Sequence, residues 1–336
     1  MNNGWRAGGW RKLAAACAGS SCILHCGTAV AFTCSATAPG TQSFGNVSPV
    51  SGQSASTTGT IGVTCTVGVL EGLLTGTHIK ACLSIGGNSG SNPRLLANGA
   101  NTVQYNLYAD STHTQIIGSA AAAPPNPLSI DFDLSFLGIL LGGTTTQNVS
   151  LYAYFPAAQT SAPAGTYSQS FSGSNASLNY TSYIGAAPTC SAAWTSGGAF
   201  PFAVAATLIN DCNISATNID FGTSGVLGNA LTASGSVSAQ CTGGDSYSIS
   251  LDSGTTAGAT IIDRRMRSGG GSVVHYQLYT ASNLSTVWGN GTAGTSTISA
   301  VGTGAIQTYT VYGSIAAQST PAPGTYTDVI TATITY

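Results

Sequence analysis

The sequence predicts an all-β protein built from two β-sandwich domains. Three observations support this prediction: charged residues make up only 5% of the 336 residues, apolar side chains recur at every second position, and landmarks of one half return in the other. Ordinary soluble domains have roughly 25% charged residues. The surface is therefore expected to carry hydroxyls and amides, and it offers no basic footprint for nucleic acid.

The first 31 residues are typical of a signal peptide. Arg11 and Lys12 precede an apolar run from Leu13 to Ala31, which ends in the small-x-small cleavage site Ala29-Val30-Ala31. A transmembrane helix is the alternative, but Gly and Ser interrupt the run, and a bilayer needs ~18–20 apolar residues. We therefore expect an exported chain with 8 − 3 = 5 basic and 10 acidic residues, a net charge of −5.

Cleavage leaves six of the nine cysteines in the mature chain. An even number of cysteines in an exported protein indicates disulfide bonds. The six are Cys34, Cys65, Cys82, Cys190, Cys212 and Cys241.

Two copies of one unit account for nearly all of the mature chain. Arg94–Tyr108 aligns without a gap with Arg265–Tyr279, and Ala157–Tyr167 aligns with Ala316–Tyr326. An early pair of cysteines, 31 residues apart in the first copy and 29 in the second, encloses a Phe-Gly in both. The shared order of these landmarks indicates a duplication.

The duplication predicts the domain boundaries. Residues 32–184 form the first domain, residues 185–199 a linker rich in Ala, Gly, Ser and Thr, and residues 200–336 the second domain. Each copy is close to the ~100–150 residues of a single domain. Alternating apolar residues, as in Phe202–Leu208 and Val329–Tyr336, predict short strands.

Taken together, the landmarks resemble the spore coat U family, the secreted pilin domains of archaic chaperone–usher pili. They comprise the disulfide-flanked Phe-Gly, a Y-x-L-Y strand, QTYTVYG (Gln307–Gly313) followed by A-A-Q, and PGTYTDVITATITY (Pro323–Tyr336). The resemblance implies an immunoglobulin-like sandwich that lacks one strand. A periplasmic chaperone first supplies that strand, and after passage through an outer-membrane usher the next pilin subunit supplies it as a donor strand.

The resemblance implies that the C-terminal domain is an incomplete pilin fold and the acceptor of a donor strand, because nothing after Tyr336 could close it. A donating subunit needs a free segment before its first cysteine, and here only Phe32 and Thr33 would precede Cys34. Phe200–Asn210 is internal, and we expect it to be the first strand of the second domain.

These expectations describe an adhesin at the tip of a pilus, or fimbrium, on the cell surface. The N-terminal domain would attach to abiotic or host surfaces and promote biofilm formation. The alternative is a structural pilus or spore-coat-like subunit without an adhesive role.

The repeat pairs Cys34 with Cys65 and Cys212 with Cys241. The remaining cysteines, Cys82 and Cys190, would tie the first domain to the linker and restrain the angle between the domains. Because six cysteines allow fifteen arrangements, the connectivity of this last pair stays open at the level of sequence.

An excess of large apolar residues distinguishes the first copy. Gly118 and Tyr152 are 34 positions apart, whereas the matching Gly289 and Tyr312 are 23 apart. The longer interval contains the stretch LSFLGILLGG, and a second apolar segment follows Cys65. The candidate surface-binding residues are Leu134, Phe136, Leu137, Ile139, Leu140 and Leu141 in the first segment, and Val69, Leu70, Leu73 and Leu74 in the second.

Full burial of six such side chains would contribute roughly 9–18 kcal/mol of stabilisation. Two explanations for these apolar side chains remain open. The stretch 134–141 is either a strand that completes the core of the first domain, or part of an exposed loop that contacts a surface.

No catalytic site, metal site or cofactor is expected. The mature histidines lack metal-ligand spacing, and the cysteines form no C-x-x-C pair. Asp131 and Asp133 alternate on one strand face, as paired carboxylates of a glycosidase would, but two exposed carboxylates are the simpler explanation. Gly244-Asp245-Ser246 resembles a motif of one serine hydrolase family, but no Asp-x-x-His follows it that could supply the histidine of a catalytic site. The cluster Arg264–Arg267 matches Arg94, which indicates at least one structural arginine.

Overall fold

The computed structural model describes residues 32–69, 78–86, 93–122, 126–134 and 141–336. Within these residues the chain forms 21 strands and one short 3-10 turn, Gly173–Asn175. The strands that build the first sandwich are β1 (Thr33–Thr37), β2 (Thr41–Val47), β3 (Ala55–Val67), β4 (His78–Ile85), β5 (Arg94–Asn98), β6 (Asn101–Tyr108), β7 (Leu128–Asp133), β8 (Gly143–Phe155), β9 (Gly165–Phe171), β10 (Ala176–Tyr183), β11 (Thr195–Ala199) and β12 (Phe202–Leu208). Those of the second are β13 (Cys212–Ala216), β14 (Leu231–Cys241), β15 (Ser246–Leu251), β16 (Arg264–Ser268), β17 (Val273–Tyr279), β18 (Ile298–Val301), β19 (Gln307–Ile315), β20 (Tyr326–Thr327) and β21 (Ala332–Thr335).

The first sandwich packs an eight-stranded sheet, ordered β1-β3-β8-β6-β5-β9-β12-β2, against a four-stranded sheet, ordered β11-β10-β4-β7. Alternate residues of each strand enter the core, as the period-two pattern predicts. Strand β7 shows this strictly, with Leu128, Ile130 and Phe132 buried and the residues between them exposed.

The second sandwich repeats this plan with fewer strands. Its sheets are ordered β13-β14-β19-β17-β16-β20 and β18-β15-β21. The prediction of an all-β chain with two sandwich domains is confirmed.

The expectation that Phe200–Asn210 forms the first strand of the second sandwich is wrong. Strand β12 lies in the first sandwich, antiparallel to β9 and parallel to β2, with Phe202 opposite Phe171 and Val204 opposite Gln42. Its inward side chains and Phe200 belong to the first core. Alternation shows which face of a strand is buried, but it does not show which sheet the strand joins. The boundary between the sandwiches therefore follows Leu208.

The segment 185–199 is also not a simple linker. Its last five residues, Thr195–Ala199, form β11 and pair with β10 of the first sandwich. The disulfide Cys82–Cys190 connects the middle of β4 to the turn between β10 and β11. This bond is therefore internal to the first sandwich, and the expectation that it restrains the angle between the domains is wrong.

The other two disulfides are those that the repeat indicates, Cys34–Cys65 and Cys212–Cys241. Each joins directly opposite residues of the first two paired strands of its sandwich, β1 with β3 and β13 with β14.

A buried arginine occupies equivalent positions in both cores. Arg94 pairs across its hairpin with Tyr105, and Arg264 with Tyr276. The structural match of Arg94 is thus Arg264 and not Arg265, because the second hairpin is one residue longer. The Arg94 guanidinium donates to the carbonyls of Ile85 and Ile117 at 2.8 and 2.9 Å.

Arg264 makes the corresponding bonds in the second core. It donates to the carbonyl oxygens of Asp252 and Trp288, each at 2.8 Å, and to the side chain of Gln277. Both arginines are at most 1% exposed, and burial lowers the pKa of each guanidinium. At least one structural arginine was expected, and each core holds one.

Candidate functional site

The two apolar segments of the first sandwich leave and re-enter it at the same end. In one sheet, Val67 at the end of β3 pairs with Gly143 at the start of β8. In the other, His78 at the start of β4 pairs with Asp133 at the end of β7. The described ends of both apolar segments, residues 68–77 and 134–142, therefore lie at the same end of the first sandwich, which we call the distal end.

The described ends of the two segments contact each other. A side chain at Gly142 would place its Cβ 3.0 Å from the carbonyl oxygen of Val67 and 3.1 Å from the amide nitrogen of Val69. With φ at +73°, Gly142 also has a backbone conformation that other residues rarely adopt. The first turn of one segment is thus packed against the last turn of the other.

The candidate residues of these segments fall into three groups. Leu134 is partly buried and packs against the first core. Leu141 and Val69 are exposed, by 66% and 63%. The others, namely Leu70, Leu73, Leu74, Phe136, Leu137, Ile139 and Leu140, lie outside the described residues.

A polar cluster lies on the outer face of β4 and β7, near the distal end. His78 Nδ1 lies 2.6 Å from Asp133 Oδ1, and Lys80 Nζ lies 3.1 Å from Asp131 Oδ2. The Tyr183 ring stacks on His78, and its hydroxyl donates to Asp131 at 2.9 Å. Burial and this hydrogen bond raise the pKa of Tyr183. Asp131 and Asp133 thus share a face as expected, where Asp131 contacts Lys80 and Tyr183 and Asp133 contacts the ring of His78.

The same end of the second sandwich has short turns and faces the first sandwich. Residues 242–245 join β14 to β15, and residues 302–306 join β18 to β19. Gly243 forms a bridge with Pro163, and a Cβ on Gly243 would lie 2.6 Å from the carbonyl oxygen of Ser161. Gly304 approaches the carbonyl oxygen of Thr160 in the same way.

The two sandwiches are therefore arranged head to tail. The turns 242–245 and 302–306 of the second sandwich abut the turn 156–164 of the first. The residues that flank the apolar segments, Val67 with Gly143 and His78 with Asp133, lie at the equivalent end of the first sandwich, so this end is the one farther from the second sandwich.

A groove lies beside β20 in the second sandwich, where the first sandwich has β12. Its volume is about 630 Å³. Tyr167 and Phe171, which β12 covers in the first sandwich, are 0% and 1% exposed, whereas the matching Tyr326 and Ile330 are only partly buried. The apolar side chains that line the groove are Ala216, Ile219, Phe221, Val237, Leu251, Met266, Tyr276, Leu278, Val311, Tyr326, Ile330 and Ala332.

Sequence reasoning missed these groove residues and the strand that fills the equivalent place in the first sandwich. The alternation of Phe202, Val204, Ala206 and Leu208 is a usable signal for a strand, but it does not show which sandwich the strand joins. The gapless match of Tyr167 with Tyr326 is a second signal. Because β12 covers Tyr167 in the first sandwich, the match indicates that the corresponding open groove lies at Tyr326.

Among the residues that the structure describes, no three His, Cys, Asp or Glu side chains converge as metal ligands would. No helix in the same part of the chain is long and apolar enough to cross a bilayer.

Comparison with solved structures bears on the fold. The chain resembles the crystal structure of the CsuC-CsuE chaperone-tip adhesion subunit pre-assembly complex from archaic chaperone-usher Csu pili of Acinetobacter baumannii. The TM-score is 0.54 at 19% identity, over 90% of this chain and 100% of that one. CfaE, the adhesive subunit of the CFA/I fimbria of enterotoxigenic Escherichia coli, matches at a TM-score of 0.28 and 11% identity over 90% and 81% of the two chains, which is too low to support an argument.

Comparison of the sequence gives the family. No curated protein matches the chain. The model of the Spore Coat Protein U domain matches it twice, over residues 22–174 and 198–333. These two matches cover most of both sandwiches, and the chain therefore belongs to the Spore Coat Protein U domain family.

Proposed function

We propose that this protein is the tip adhesin of a chaperone–usher pilus and attaches cells to surfaces through the apolar segments 68–77 and 134–142. The observation that carries the proposal is the position of the strand ends that flank these segments. Both are anchored at the distal end of the first sandwich, and the second sandwich packs against the opposite end. An apolar patch at the far end of a fibre is suited to contact hydrophobic abiotic surfaces or host molecules and to promote biofilm formation.

The closed first sandwich supports a terminal position. Its core is completed by β12 of the same chain, so the first domain needs no strand from another subunit. This also weakens the alternative use of the stretch 134–141 as a core-completing strand, because β12 occupies the closing position.

The open groove of the second sandwich supports a place in a fibre. An extended segment beside β20 would cover Tyr326 and Ile330 as β12 covers Tyr167 and Phe171. In the pathway of the family, that segment comes first from a periplasmic chaperone and then, at the outer-membrane usher, from the next pilin subunit. The chain would therefore cross the periplasm after removal of residues 1–31 and end at the pilus tip.

Replacing Phe136, Leu137, Ile139 and Leu140 together by serine tests the adhesive role. We expect binding of piliated cells to polystyrene to fall to the level of cells without pili, while electron microscopy still shows normal fibres. A serine at Ile262, an exposed apolar residue of the second sandwich, is the matched control and should leave binding unchanged.

Two results would contradict the proposal. Full adhesion of the quadruple variant would favour the structural-subunit alternative. Loss of export would mean that these side chains stabilise the first sandwich.

A further inference from the structure

The mature chain contains two Asn-Gly pairs, Asn98-Gly99 and Asn290-Gly291. In such a pair the backbone nitrogen of the glycine can attack the side-chain amide of the asparagine, and this nitrogen is unshielded because glycine has no Cβ. The attack requires an asparagine side chain that folds back over the peptide that follows it. The surroundings of each pair therefore decide whether the pair reacts.

The first pair is held in a conformation that does not favour this attack. Asn98 is the last residue of β5 and pairs with Asn101 across the hairpin. Its side-chain amide packs so closely against Gly165, the first residue of β9, that a Cβ on Gly165 would clash with it. Strand pairing and this contact together leave the Asn98 side chain little freedom to turn toward Gly99.

The second pair lies in the turn between Trp288 and β18, where Asn290, Gly291 and Thr292 are exposed. Asn290 Oδ1 accepts a hydrogen bond from the backbone N–H of Thr292 at 3.1 Å. This bond to the amide two residues on is an Asx turn, which folds the side chain over the peptide of Gly291. Within the described residues the Gly291 amide donates no hydrogen bond, so its nitrogen is available for attack.

The side chain of Thr292 adds a second donor to the same oxygen. Its hydroxyl donates to Asn290 Oδ1 at 2.6 Å. When a nitrogen adds to Cγ of Asn290, negative charge develops on Oδ1, and donors that already point at such an oxygen lower the barrier to the addition. Thr292 therefore both orients the amide and activates it.

We propose that Asn290 is a site of self-catalysed deamidation. The Gly291 nitrogen forms a bond to Asn290 Cγ, the bond from Cγ to Nδ2 breaks, and the side-chain nitrogen leaves as ammonia with the proton of the Gly291 amide. Water then opens the resulting five-membered imide at either carbonyl carbon and gives aspartate or isoaspartate. The reaction needs only water, and it places a new negative charge in the turn.

Conversion to isoaspartate also lengthens the backbone of the turn by one carbon. The turn is short and tied at its base, where Gly289 donates to the carbonyl of Ser296 at 2.8 Å and Ser296 donates to that of Val287 at 2.9 Å. Trp288 lies at this base, fully buried, and its carbonyl accepts a hydrogen bond from Arg264 at 2.8 Å. We therefore expect the conversion to lower the stability of the second sandwich.

Peptide mass spectrometry of the mature chain during incubation at pH 8 follows both pairs in one sample. A sample unfolded in urea gives the rate of each pair without the influence of the fold. We expect Asn290 of the folded chain to convert about as fast as in urea, to a mixture of aspartate and isoaspartate. Asn98 should convert at least about tenfold more slowly, because it reacts only when its hairpin opens. Equal protection of both asparagines by the fold would overturn the proposal.

Two variants test the chemistry at this turn. Thr292→Val keeps the backbone donor and removes the hydroxyl, so we expect the folded chain to convert about tenfold more slowly and the unfolded chain to keep its rate. Asn290→Gln is the matched control and should stay intact, because its longer side chain would have to close a six-membered ring. An unchanged rate in folded Thr292→Val would overturn the role of the hydroxyl.

The fluorescence of Trp288 in a Trp194→Phe background reports unfolding of the second sandwich, since Trp288 is buried in its core. After incubation, the chain with Asn290 should melt at a lower temperature than the Asn290→Gln variant incubated in the same way. Equal melting temperatures of the converted chain and the control would contradict the expected loss of stability. Neither measurement depends on adhesion or pilus assembly.

Discussion

The ring of Phe202 stacks on the ring of Phe171, with centroids 4.6 Å apart and planes inclined by 11°. Phe202 begins β12 and Phe171 ends β9, so this contact lies where the closing strand enters the first sandwich. It is part of the closure of the first sandwich by its own chain, whereas the second sandwich has an open groove at the equivalent place.

Replacing Phe202 by alanine should destabilise the first sandwich by about 3–5 kcal/mol, because a buried aromatic side chain is lost and a cavity remains. Urea unfolding of the mature chain, followed by circular dichroism, measures the change. Ala205→Ser, on the outward face of the same strand, is the control and should lower the free energy of unfolding only slightly. Equal stability of the two variants would mean that β12 does not close the core.

Replacing Arg94 by methionine should lower the free energy of unfolding of the first sandwich by about 3 kcal/mol. The carbonyl oxygens of Ile85 and Ile117 would each lose a charge-assisted hydrogen bond, and such bonds are worth about 1.5–3 kcal/mol. Arg265→Met is the matched control, since Arg265 pairs with Asp263 at a partly exposed position, where such pairs contribute less than about 1 kcal/mol. Comparable losses in both variants, measured by chemical denaturation, would contradict the structural role of Arg94.

Asp245 should make stability depend on pH. Burial raises the pKa of its carboxyl group, against a weaker opposing hydrogen bond from Asn210. Among the described residues, its Oδ2 atom is buried without a hydrogen-bond partner.

Because the folded-state pKa lies above the unfolded value of about 3.9, the folded state binds the proton more tightly. Stability therefore falls as pH rises through this interval. Asp245→Asn should raise the melting temperature at pH 7 and leave it nearly unchanged near pH 3. A pH-independent difference between variant and parent would contradict this assignment.

Local patterns predicted much of the fold. The period-two alternation identified strands such as Leu128–Asp133, and the internal repeat indicated the pairs Cys34–Cys65 and Cys212–Cys241 that the structure contains. The sheet to which β12 belongs was not predictable in this way. Each sandwich has a groove of similar shape, and the strand enters the one that lies within reach of the chain. No property of residues 202–208 themselves indicates which groove that is.

The candidate site was predicted only in part. The excess of apolar residues in the first copy marked two segments, but sequence alone could not place them at one end. That follows from two long-range pairings, Val67 with Gly143 and His78 with Asp133. The gapless alignment matches Arg94 with Arg265, one residue away from its structural equivalent Arg264. The difference arises because the second hairpin has a turn that is one residue longer, which a gapless alignment does not allow for.

The position of the protein in the fibre tests the account most directly. An epitope inserted between Gly291 and Thr292, two exposed residues in a turn of the second sandwich, would be detected on intact pili with gold-labelled antibody. The account predicts gold at the free ends of the fibres, with one labelled end for each pilus. Gold spaced regularly along the shaft would contradict a tip adhesin and would make the protein a repeating structural subunit.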